Sequence, residues 1–220
     1  MKIPARRTVS GDPPLADALK YSFYVMIHPL DGFWDLTHEK RGSLFAAHVI
    51  VAAGIVVEML RLTLTSFQFI TVYLESFNAI TVALGIIAPL ALWTVANWGL
   101  TTLWDGKGRL HEIYMGTAYA LTPSVIINAG MIVLSRFLSF QEGAIYYLLA
   151  GLSVVWTGLL ILSAMMMIHS YTLGKTLISS FFAVIGMGVI IFIFVIFFSL
   201  ISDGIAFFVF LAREIMYRVS

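Results

Sequence analysis

Long apolar runs, broken by short polar interruptions, fill most of the chain. Five of them, approximately 44–64, 79–101, 112–135, 144–168 and 176–201, are long enough to cross a hydrocarbon core, which takes about 20 helical residues for about 30 Å. Lipid offers no hydrogen-bond partner to an open backbone, so such runs span as helices, and the period-2 alternation of barrel strands is not visible. Connectors at 102–111, 136–143 and 169–175 are short enough to join antiparallel neighbours. The pattern predicts an all-α, polytopic membrane helix bundle with five transmembrane helices.

The two ends carry a different pattern. Asp12 is placed to cap a helix opened by Pro13, after which Leu15, Leu19, Phe23, Met26 and Ile27 share a face. Pro29 opens a second helix with Leu30, Phe33, Trp34 and Thr37 on one side and Asp31, Asp35, His38 and Glu39 on the other. Past Asp203 and Gly204 only Ile205 to Ala212 run unbroken before Arg213, too short to span, so this stretch is expected to lie along the surface. The chain thus divides into an N-terminal segment (1–41) with interfacial amphipathic helices, a five-span membrane domain (42–201), and an interfacial tail (202–220).

Composition narrows the classes. The chain is 60% hydrophobic and 11% charged with a mean hydropathy of +0.95, against about 45–50% and about 25% in a soluble domain. That excludes a water-soluble enzyme and a nucleic-acid binder. Cysteine is absent, so neither a disulfide framework nor a thiolate metal site is available. The net charge of +1 exerts no pull on an anionic partner. With five spans, nine Lys and Arg residues fall on the side of the N-terminus and four on the other. This bias predicts a multi-pass protein of the cell membrane with its N-terminus cytoplasmic and its C-terminus outside. The opening MKIPARRTVSGDPP has basic residues with no apolar stretch behind them, so it is expected to be retained.

Motifs for chemistry are incomplete. Leu173-Gly174-Lys175-Thr176 ends like a phosphate loop, but His169 stands where a glycine is needed and no strand precedes it. His28, Asp31, Asp35 and His38 recur along one helical face, yet lack the i, i+4 histidine pair that anchors a zinc site, and read as a solvated face. No nucleophile elbow and no second histidine beside His111-Glu112 is present. The expectation is a non-enzymatic chain with no catalytic residue, cofactor, metal or nucleotide.

The intramembrane polar residues carry more information, because a charge in lipid costs about 2.5–3.5 kcal/mol on insertion scales. His48, Glu58 and Arg61 lie within the first span, with Glu58 and Arg61 on one face. They fit either a polar cavity or mutual neutralisation with Arg61 reaching outward. Gly116, Ala120, Ser124 and Asn128 recur every four residues in the third span, a small-residue stripe suited to close helix packing, with Asn97 of the second span as a partner. Pro123 is expected to kink that span and to free the carbonyl of Tyr119. Gly106 and Gly108 flank Lys107 in a turn where glycine permits φ > 0.

Gly106-Lys-Gly108-Arg-Leu, leading into Gly116-Thr-Ala-Tyr119-Ala-Leu-Thr-Pro123, is followed later by His169-Ser170-Tyr-Thr-Leu-Gly-Lys175-Thr and by a span containing Gly186 and Gly188. This arrangement resembles the Yip domain membrane proteins, the Ypt/Rab-interacting proteins and their prokaryotic relatives, over about residues 28–200. The resemblance implies five spans, a cytoplasmic N-terminus, connectors facing the cytoplasm and no catalytic residues. Without the long cytosolic N-terminal domain and acidic-aromatic motif expected of eukaryotic members, the chain looks like a bacterial member, and the resemblance does not extend to GTPase binding. The expected function is non-catalytic: membrane organisation or an adaptor role through helix packing and contacts with membrane lipids, another membrane protein or a second copy. The alternative is a small permease or an accessory subunit of a carbohydrate importer.

Overall fold

A computed structural model describes residues 13–69, 77–101 and 103–219. Among the described residues the regular structure is helical, with no strand. Helices α1 (Leu15–Ile27) and α2 (Pro29–His38) form a hairpin ahead of the bundle. The spans are α3 (Leu44–Leu64), α4 (Ala79–Thr101), the consecutive pair α5 (Leu110–Ala120) and α6 (Thr122–Leu134), α7 (Gly143–His169) and α8 (Leu173–Val219). Five helical units are long and apolar enough to cross a membrane, α5 and α6 counting as one.

The third span breaks where Pro123 demands it. Leu121 donates to Ala118 at 3.1 Å, a tightened turn, and the Thr122 hydroxyl donates to the Tyr119 carbonyl at 2.8 Å. The carbonyl freed by proline is therefore satisfied by the neighbouring threonine. The last span differs from expectation, because α8 continues through Asp203 and Gly204 as one 47-residue helix. A single helical glycine costs about 1 kcal/mol, too little to end a helix whose flanking residues keep their hydrogen bonds. At 1.5 Å per residue α8 is about 70 Å long. Only its first half is packed, against α4, where Ala183 is fully buried and Phe182 meets Trp104 edge-on.

The bundle core is made by α3, α5 and α7 around Ala46, Ala47, Ile50, Tyr119, Ala164 and Ile168. The α1–α2 hairpin docks on it through Ala18, Ser22, Val25, Gly32, Phe33 and Leu36. A Cβ on Gly32 would stand 2.8 Å from the Cα of Val25, so glycine sets the spacing of the two helices. The Trp156 indole of α7 donates to the Met26 carbonyl at 3.4 Å. Asp12, the expected cap, lies outside the described residues, and Pro14 occupies the N-cap position of α1.

The apolar faces expected for the hairpin meet protein only in part, Leu19 and Met26 of α1 packing against the core. Leu15, Phe23, Ile27, Leu30 and Trp34 stay exposed, while Phe33 alone of the large residues in α2's expected stripe is fully buried. The hairpin therefore buries Ala18, Ser22, Val25, Phe33 and Leu36 and leaves Leu15, Phe23, Ile27, Leu30 and Trp34 exposed. In lipid, close approach rather than solvent exclusion drives helix association, which selects Ala18 and Ser22 over Phe23 for the contact.

Candidate functional site

Most of the motif residues meet at the end of the bundle that bears the α1–α2 hairpin. Helix α7 ends at His169 with Ser170 in the left-handed region at φ 55°. Ser170 donates to the Met167 carbonyl at 3.4 Å and Tyr171 to that of Met166 at 3.0 Å, closing the helix end. This turn directs His169 and Tyr171 toward the connector between α4 and α5. His169 is 3% exposed, and its Nδ1 accepts the Gly108 N–H at 3.3 Å, which places the ring proton on Nε2. Tyr171 stacks on His169 with centroids 5.1 Å apart and donates its hydroxyl to the Trp104 carbonyl at 3.0 Å. Burial, and then the nearby Asp105 carboxylate, push the Tyr171 phenol above its usual range, so it remains a protonated donor. Lys175 sets its ammonium 4.4 Å over the Tyr171 ring.

The two glycines are required by space. A Cβ on Gly106 would lie 2.6 Å from the Tyr171 hydroxyl, and one on Gly108 2.6 Å from Ile168 Cγ2 and 2.8 Å from His169 Cε1. The left-handed backbone expected of these glycines belongs instead to Asp105, at φ 53°. Gly116 extends the contact one level deeper, its absent Cβ leaving 2.6 Å to Ile168 Cδ1. Tyr119, fully buried, accepts the Ser43 N–H on its hydroxyl at 3.3 Å and so ties α3 to α5. Gly106, Gly108, Gly116, His169 and Lys175 thus form one packed clasp joining both connectors, while Tyr119 holds α3 to α5. Pro123 shapes the span below it. Trp104 and Tyr171 complete the clasp, and sequence reasoning missed them; the only signal was an aromatic residue two places after His169.

The intramembrane polar residues do not form one site. His48 is exposed and bonds the Leu44 carbonyl of its own helix at 2.6 Å, with Tyr114 beside its ring. Arg61 grips Glu58 in a bidentate pair, 2.9 Å from Nε to Oε2 and 2.6 Å from Nη2 to Oε1. Asn97 donates to the Trp93 carbonyl of its own helix at 3.0 Å. The stripe packs on α7: Gly116 faces Ala164 and Ile168, and the Ser153 hydroxyl donates to Ser124 at 3.2 Å. Asn128 donates to Ser124 at 3.3 Å. His28 and His38 stack on Tyr24 and Trp34. Tyr21 donates to Gly32 and to Asp35, its phenol raised by burial and then by that carboxylate. Among the described residues no three His, Asp or Glu side chains are grouped to hold a metal ion.

Among the described residues the arrangement orders two connectors through the His169–Gly108 and Tyr171–Trp104 hydrogen bonds and the close-packed glycines. Compared with known families, residues 23–211 match the Yip1 domain. No curated protein and no solved structure matches the chain.

Proposed function

Because the chain belongs to the Yip1 domain family, a family of membrane proteins, we propose that it is a non-catalytic membrane protein acting through lipid and protein contacts at its clasp end. One observation carries the reading: the motif residues are spent on each other, and what they hold in place is a surface. The clasp fixes Trp104 and the connector that carries Asp105 and the exposed Lys107, at the same end of the bundle as a hairpin whose Phe23, Ile27 and Trp34 are exposed. Such a hairpin can embed its apolar face in one leaflet while the clasp presents polar groups to a partner. The Lys and Arg bias assigns this end to the cytoplasm.

The transport alternative has less behind it, since Glu58 is engaged by Arg61 within one helix. Photocrosslinking amino acids placed at Trp34 and Lys107 in cells test the reading. Crosslinks to lipid from the first and to a discrete protein band, either another protein or a second copy, from the second are expected. Crosslinking at neither position, or substrate turnover by the purified chain, removes it.

A further inference from the structure

At the far end of the bundle, away from the clasp, α4 and α6 separate. Helix α4 packs along α5 in the half nearer the clasp but makes no substantial contact with α6, while α3 packs against both. The break at Leu121 to Pro123 is where α6 leaves the direction of α5. The result is a cleft of about 330 Å³, floored by α3 and open on one side, lined by Gly54, Glu58, Gly85, Ser124 and Asn128 among apolar neighbours. Its size is at the lower end for small-molecule pockets, about 300–1,000 Å³.

Glycine keeps it open. Gly85 is exposed, and nothing lies within 4 Å of where its Cβ would stand. Gly54 instead lets α3 approach Val125 of α6, at 3.5 Å from its missing Cβ. Glu58 lies six residues from the end of α3, about 9 Å along the helix. The cleft therefore begins near the membrane boundary and runs inward to Leu121.

The lining is rich in acceptors, and its one charged residue, Glu58, is paired with Arg61 of the same helix. Arg61 neutralises Glu58, whose two oxygens each retain a lone pair beyond the bidentate contact. Asn128 spends an N–H on Ser124, which also receives Ser153, and keeps its carbonyl oxygen for another donor. Pro89 lies inside α4 and cannot supply the helical N–H that the Gly85 carbonyl would otherwise accept. Thr122 covers the equivalent carbonyl at Tyr119, and among the described residues no side chain does so for Gly85. Glu58, Asn128 and Gly85, each with spare acceptor capacity, thus line one small space. A paired, neutral wall selects neither anions nor cations, and acceptors ask for hydroxyl protons.

We propose that this cleft binds the hydroxyl-bearing head of an uncharged membrane amphiphile, entering from the lipid between α4 and α6. The site is separate from the clasp and stands or falls independently of its role. The test measures the thermal midpoint of the purified full chain in mild detergent against a short-chain monoacylglycerol, the methyl ester of the same fatty acid, and free glycerol. A saturable rise with the monoacylglycerol alone is expected. Gly85→Leu, which fills the cleft, and Asn128→Leu, which removes an acceptor, should each raise the half-saturating concentration by about tenfold or more. Gly130→Leu, at an exposed position of α6 with open space around it, should leave it unchanged. An equal rise with the methyl ester, or with glycerol alone at the same concentration, overturns the proposal. So does wild-type binding by both cleft variants.

Discussion

Ile168 contacts two of the motif glycines through different atoms, and this separates their roles in one experiment. A Cβ on Gly108 meets Ile168 Cγ2 at 2.6 Å and the His169 ring at 2.8 Å, while one on Gly116 meets Ile168 Cδ1 at 2.6 Å. Cγ2 is fixed to the branched Cβ of a residue 4% exposed, and the His169 ring is held by Gly108 and Tyr171. Gly108→Ala therefore forces overpacking and should cost about 1–3 kcal/mol. Cδ1 is the far end of a side chain. Displacing it costs about 0.5–1.5 kcal/mol, against about 1 kcal/mol that alanine gains over glycine inside α5. Gly116→Ala should accordingly be near neutral. The substitution Ile168→Val, itself costing about 0.5–1.5 kcal/mol, deletes Cδ1 and keeps Cγ2. In that background the nearest atoms to the Gly116→Ala methyl become Ala164 Cβ at 3.4 Å and Cγ1 at 3.8 Å. Gly116→Ala then turns stabilising by up to about 1 kcal/mol, while the cost of Gly108→Ala persists. The assay is thermal unfolding of the six chains in one mild detergent, where 1 kcal/mol corresponds to about 2–4 °C at this size. If Ile168→Val changes the response of both glycines equally, the atom-by-atom account of the clasp is wrong.

Three further outcomes are expected. Glu58→Gln should lower the thermal midpoint by the equivalent of about 1–3 kcal/mol, because it strands the Arg61 guanidinium, and the Glu58→Gln/Arg61→Gln double variant should lower it less; a double variant at least as unstable as the single one refutes the pairing argument. Ser170→Gly should stabilise by up to about 1 kcal/mol by relieving a left-handed serine, and a lower midpoint refutes the strain argument. Since the chain has no cysteine of its own, Phe23→Cys and Val25→Cys can report the docking face of α1. A lipid-soluble maleimide should label the first at least several-fold faster, and equal rates would mean that the hairpin does not dock through Val25.

The contrast at Phe23 and Val25 shows what could be read from the chain and what could not. Hydropathy and length located α3 and α4 at the expected 44–64 and 79–101, since crossing lipid constrains a segment by itself. Pro123 announced the break between α5 and α6 for an equally local reason, a missing N–H. The spacing of Glu58 and Arg61 placed their pair on one helix face, and the glycine, histidine and lysine motifs marked the clasp. Which faces meet was not legible. Lipid is as apolar as a packed interior, so an apolar stripe does not distinguish a face that meets protein from one that meets hydrocarbon. The burial of Ala18, Ser22 and Val25 in α1, and the packing of the stripe on α7, are decisions of shape and close approach among segments distant in sequence. The same holds for the crowding of Gly106 and Gly108 against Tyr171 and His169. The separation of α4 from α6 belongs with these, since no local pattern encodes the space between two helices. The sequence by itself determined how many segments are long and apolar enough to cross a membrane and nearly where each begins; the tertiary structure decided what touches what, because in a bundle surrounded by lipid that choice rests on fit rather than on hydrophobicity.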